Sequence, residues 1–104
     1  MYAVVGRSTI RDFDEARKFL REEAIPRLSA MPGFVSGHWV RLGATDGASM
    51  IIFETEEAAQ AAKERFMSSL PPAVTPISVE VGEDWCWCFV DEVAFVVEPG
   101  SEGR

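Results

Sequence analysis

Asparagine is absent from this chain, histidine occurs once, and both cysteines fall near its C-terminal end. Imidazole and thiol groups, the side chains most used in nucleophilic and transition-metal chemistry, are therefore few. No Gly-rich phosphate loop, G-x-S-x-G elbow or dinucleotide fingerprint is present, which removes the common nucleotide-binding and serine-hydrolase signatures. Long apolar runs are missing too: none approaches the roughly 20 residues of a membrane span. The opening Met1-Tyr2-Ala3-Val4-Val5-Gly6-Arg7 lacks the basic leader and long apolar stretch of a signal peptide. A cytoplasmic protein without membrane contact is expected. Basic residues are also scarce, ten against seventeen acidic, for a net charge of −7. Such a surface repels phosphate backbones, so nucleic acid is not an expected partner. The basic residues Arg7, Arg11, Arg17, Lys18 and Arg21 gather early in the chain, where solvated faces are the simpler reading of them.

What is there is an ordinary globular mixture, 47% hydrophobic and 26% charged, of one-domain length. The expected domain runs over residues 1–98, with 99–104 as a loose tail. Met1 to Arg7 carries apolar residues on both parities, the pattern of a central strand covered on both faces. Asp12 is a plausible N-cap, followed by Asp14 and Glu15 in a first helical turn. Phe13, Ala16, Leu20, Ala24, Leu28 and Met31 recur at three- and four-residue steps and form one apolar stripe. Pro26 lies inside that pattern and predicts a kink or break near Ala24-Ile25. Pro32-Gly33 then ends the helix.

Phe34 to Leu42 reads as a strand with Phe34, Ser36, His38, Val40 and Leu42 on one parity and Val35, Gly37, Trp39 and Arg41 on the other. Gly43 to Gly47 supplies a hairpin turn with Asp46-Gly47 as its strongest signal, and Ser49 to Phe53 returns, apolar throughout from Met50. Thr55 caps a second helix with Ala58, Ala59, Ala62, Phe66 and Leu70 on its buried stripe. After Pro71-Pro72, Ile77, Val79 and Val81 alternate with polar residues in a half-exposed strand. The order β-α-β-β-α-β is the ferredoxin-like α+β layout, an antiparallel sheet with both helices on one face. Because the first and third strands are apolar on both parities, a second sheet is expected on the open face, and hence a homodimer. Trp85-Cys86-Trp87-Cys88-Phe89-Val90 and Val93 to Val97 predict an additional C-terminal strand.

A helix ending in Pro26-Arg27-Leu28-Ser29-Ala30 runs into Met31-Pro32-Gly33-Phe34-Val35, and Phe53-Glu54-Thr55-Glu56-Glu57-Ala58-Ala59 opens the second helix. Over residues 1–82 these junctions resemble the dimeric α/β-barrel superfamily, in particular the small antibiotic biosynthesis monooxygenase-like proteins. The resemblance implies homodimers whose sheets close a barrel, with a pocket between helices and sheet in each protomer. It also implies, for some members, oxygenation of aromatic substrates with no metal or flavin, so no cofactor is expected. Haem-degrading relatives use an Asn on the first strand, a Trp, and a His on the second helix. This chain has Arg7 near the end of its first strand, no His between Thr55 and Leu70, and no Asn anywhere, so that pattern is not met.

His38, the only imidazole, is the best single catalytic candidate, since histidine is the residue type suited to proton transfer at neutral pH, and its parity aims it, with Phe34, at the helix layer. Phe34, Phe53 and Phe66 complete the expected ligand-binding set, and Trp39 is expected to face the opposite way, toward the sheet–sheet interface. Arg7 and Arg41 are candidate anchors for an anionic ligand, though strand-end arginines are usually solvated. Cys86-x-Cys88 on a strand would place Cα atoms about 6.5–7 Å apart, at the edge of disulfide reach. Two thiolates make half a zinc site that His38 and acids would have to complete; simple burial explains them with fewer assumptions, and no metal is expected. Two function classes follow: a protein that binds a small apolar or aromatic ligand, or a non-catalytic dimeric interaction module that uses the aromatic C-terminal strand.

Overall fold

The structure is a computed structural model and describes residues 1–85. Cys86, Cys88, the additional C-terminal strand and the tail at 99–104 lie outside the described residues. Four strands, β1 (Tyr2–Ile10), β2 (Phe34–Leu42), β3 (Asp46–Phe53) and β4 (Val74–Glu83), form one antiparallel sheet in the order β2-β3-β1-β4. Helices α1 (Phe13–Phe19) and α2 (Ile25–Ser29), joined through a π-helical turn at Leu20–Ala24, follow β1, and α3 (Glu56–Ser68) follows β3. This is the ferredoxin-like α+β fold. β1 and β3 occupy the two central positions, as strands apolar on both parities must.

Local chemistry accounts for the element ends. The Asp12 carboxylate accepts hydrogen bonds from the backbone N–H groups of Asp14 and Glu15, at 3.0 and 3.1 Å. Thr55 Oγ1 accepts from the Ala58 N–H at 3.2 Å and starts α3. Gly33 adopts φ 83°, the left-handed region, and its carbonyl accepts from the Glu54 N–H at 2.8 Å. The turn after α2 is thereby tied to the end of β3. In the hairpin the reversal falls on Gly43 to Thr45 rather than on Asp46-Gly47: Gly43 has φ 70°, and Asp46 already pairs with Leu42.

The irregularity expected near Ala24-Ile25 is present as a change of helix type, from the π-turn to α2, and Pro26 does not end the helical run. The π-turn before it changes the hydrogen-bond spacing, and the Ile25 N–H reaches the Leu20 carbonyl. Pro26 then enters in the first turn of α2, where a missing N–H is tolerated. The helical rod is continuous because the adjustment is made upstream of the proline.

The core lies on the helix-covered face. Val4, Ile51 and Phe53 from the sheet meet Ala59 and Ala62 of α3, whose small side chains let the helix approach closely. Phe53 is fully buried and meets Phe34 edge-to-face, with ring centroids 5.9 Å apart.

Candidate functional site

Residue pairing sorts the helix-facing side chains into four cross-strand rows. Phe34, Phe53 and Tyr2 make the first, and Gly37, Ile51 and Val4 the second. Those two rows are the floor of the core. The third row is Trp39, Ser49 and Gly6, and the fourth is Arg41, Gly47 and Ser8. Here the central strands offer glycine and serine where the first two rows offer Phe, Ile and Val. The sheet is therefore low in relief at this end, and the helical layer above it leaves space.

Two adjoining cavities fill that space, of about 420 and about 330 Å³. The larger lies over the third and fourth rows, beneath Phe13, Ala16 and Leu20 of the helical rod and beside Phe66 and Leu70. The smaller reaches back toward Val4, Ile51 and Ala62. Trp39, Phe19, Leu20, Phe66 and Leu70 wall both. The indole of Trp39 folds back over Gly37, where an added Cβ would stand 2.8 Å from the ring. Gly37 thus provides the room that lets the indole lie along the sheet. Leu20 opens the π-turn, so the irregular segment of the helical rod borders both volumes. Such π-turns are frequent at functional sites.

The polar lining is one-sided. Arg17, Arg21 and Arg41 border the larger cavity, Arg27 and Arg65 the smaller, and no aspartate or glutamate lines either. In a chain with seventeen acids, this segregation leaves the cavities locally basic. The Arg41 guanidinium carbon sits 4.1 Å from the Phe13 ring centroid, and its Nε donates to the Gly43 carbonyl at 3.1 Å. Arg17 and Arg27 are held by Asp14 and Glu23, at 3.4 and 3.1 Å.

Of the residues singled out in the sequence, Phe66 lines both cavities, whereas Phe34 and Phe53 belong to the packed core beside them. His38 is corrected: it is exposed on the open face of the sheet, opposite Met50, and borders neither cavity. Trp39 is corrected in the opposite sense, onto the helix side. One extra residue causes both changes. Phe34 pairs with Phe53 but Ser36 pairs with Ile52, so Val35 is a bulge, and alternation beyond it is reversed. Arg41 moves to the cavity by the same shift. Arg7 stays on the open face, where it donates to Asp46 at 2.8 Å. That hydrogen bond holds the Asp46 carboxyl below the ordinary value of 3.8. Among the described residues no three of His, Cys, Asp and Glu come together as a metal set. No described helix is long and apolar enough to cross a membrane.

No protein-family model matches the chain, and no curated protein does. Among solved structures it is similar to the crystal structure of HapK from Hahella chejuensis, with a TM-score of 0.66 and 12% sequence identity. The match covers 88% of this chain and 99% of that one, and at this identity it shows a shared ferredoxin-like fold.

Proposed function

We propose that this protein binds a small apolar or aromatic molecule in the cleft between its sheet and its helical rod. The observation that carries this reading is the pair of adjoining cavities walled by Trp39 and Phe66, whose volumes suit small-molecule sites. The low row of glycines and serines below, and the π-turn above, build that space from the sequence itself. The residues present favour binding over acid–base catalysis: His38 lies on the other face, and the lining supplies arginines and hydroxyls. The resemblance to antibiotic biosynthesis monooxygenase-like proteins suggests oxygenation of the bound molecule, which an oxygen electrode reads directly.

The test is a calorimetric titration with the neutral two-ring aromatic 2-naphthamide. Saturable one-to-one binding is expected, weakened about tenfold or more in Trp39→Ala, because the indole forms a wall of both volumes. Absence of saturable binding to the wild-type protein, by this probe and by its carboxylate counterpart 2-naphthoate alike, would overturn the reading.

A second reading, homodimerisation, is supported by a different observation. On the face away from the helices, Val5, Val40 and Met50 are 48, 53 and 47% exposed, two of them on central strands. A second copy of this sheet is the occupant proposed for that face. The alternative role, an interaction module built on the aromatic C-terminal strand, is tested by deleting residues 85–104. A soluble variant with unchanged association would count against it.

A further inference from the structure

We infer that the molecule held in the cleft is an aromatic carboxylate, seated with its ring against Trp39 and its carboxylate toward Arg41 and Arg21. This deepens the small-molecule reading above and rests on it. The polar atoms on the larger cavity's side chains are hydroxyl and guanidinium groups, apart from the indole N–H of Trp39. A ligand with an acidic group satisfies such a set, and a cationic one does not.

Two independent observations point to an occupant. The first is Ser8. It is only 6% exposed, lies on the floor of the larger cavity, and its hydroxyl has no hydrogen-bond partner among the described residues. A buried hydroxyl without a protein partner is uncommon in folded proteins and is satisfied by an accepting atom of a bound molecule, water or ligand, in the cavity it lines. The second is the state of the arginines. Arg41 is fixed by the Phe13 ring and by its Nε bond to Gly43, which leaves its terminal nitrogens without a partner among the described residues. Arg21, carried on the π-turn, forms no ion pair or side-chain hydrogen bond there either. Arg17, Arg7 and Arg27, by contrast, each have a carboxylate.

Position joins these features. Ser8, Gly47 and Arg41 share one cross-strand row; Gly47 carries no side chain, and Ile10 leans over it, with Cγ1 and Cδ1 at 3.2 and 3.4 Å from where a Cβ would stand. Trp39 and Ser49 lie in the adjacent row. A flat ring over Ser49 and against the indole therefore directs its substituent toward the Gly47 row, beside Ile10, with the Arg41 fork on the β2 side and Ser8 on the β1 side. The net charge of −7 works against anion binding at long range. A preference for a carboxylate must come from these local groups.

The experiment compares 2-naphthoate with its neutral isostere 2-naphthamide, by calorimetry, on the wild-type protein and on Arg41→Gln and Arg21→Gln. Both substituted residues are exposed, so the fold is expected to persist, and circular dichroism checks it. We expect the carboxylate to bind about tenfold or more tightly than the amide, the size of effect a charge-assisted hydrogen bond supplies. That ratio should shrink at high salt and fall toward one in Arg41→Gln. Equal wild-type affinities would overturn the carboxylate assignment while leaving small-molecule binding intact. Failure of both probes to bind would overturn the two readings together. A ratio that survives both glutamine substitutions would also overturn the assignment.

Discussion

Single side chains decide much of what each sheet face can do, and the Arg7–Asp46 pair is the most sharply defined case. The guanidinium beside Asp46 stabilises its carboxylate form and holds the carboxyl below its ordinary range. A carboxyl lowered on folding contributes stability above its unfolded pKa, and that contribution is lost as pH falls through the folded value. Asp46→Asn is therefore expected to be slightly less stable than wild type at neutral pH. The difference should disappear on the acid side of the Asp46 transition. The Arg7 side chain is 53% exposed and that of Asp46 25%, so solvent screens the pair and the effect on the melting temperature is small. Carbon-13 NMR titration of the Asp46 carboxyl is the direct readout, and Arg7→Gln should move it back up toward 3.8. An unmoved titration in that variant would show that Arg7 is not the cause.

Among the elements, the junction from Met31 to Val40 carries the most structural information per residue. Gly33 is held at φ 83° with its carbonyl tied to Glu54, and a Cβ there would lie 3.3 Å from the Ala58 Cβ. Gly43 is also left-handed, at φ 70°, but has open space around it. Gly33→Ala thus adds a steric conflict with α3 to the left-handed backbone penalty of about 1–2 kcal/mol, whereas Gly43→Ala meets the backbone penalty alone. Urea unfolding should rank Gly33→Ala as clearly the more destabilising; equal costs would mean that α3 yields without penalty. The same stretch shows where the sequence is readable and where it is not. Both caps, Asp12 and Thr55, the ends of β2, and the central places of β1 and β3 follow from residue type and periodicity. The Val35 bulge does not, because an inserted residue leaves the apolar content of the strand unchanged while reversing its faces. That one reversal moves His38 out of the site and Trp39 into it. Gly37 was the available signal: a glycine two residues from a tryptophan on the same parity makes space for the indole. The π-turn was half legible, since Pro26 announces an irregular helix but not the form it takes.

At the scale of the whole molecule, the question is what covers the second face of the sheet. Its rows read His38, Met50, Val5 and Glu80, then Val40, Ala48, Arg7 and Ser78, so apolar residues hold the middle of the first row, Arg7 breaks the second on β1, and polar residues take the β4 side. A sheet from a second copy, packed about 10 Å away, would bury Val5 and Met50 near its centre and leave Glu80 toward a wet rim. Light scattering should then give a mass of about twice the 11.5 kDa chain for the wild type. Met50→Glu places a charge where that packing is driest, and breaking the association is cheaper than burying an unpaired carboxylate. The variant is expected to be monomeric. Met67→Glu, at an exposed position on α3, is the control and should remain dimeric. Because the cavities lie on the opposite face, the Met50→Glu monomer should still bind 2-naphthamide, which separates loss of assembly from loss of fold. A monomeric wild type would overturn the sheet-to-sheet pairing. A dimeric Met50→Glu would move the contact to another surface, and the apolar rows of β1 and β3 would then need a different cover, with the segment after Trp85 the next to be tested.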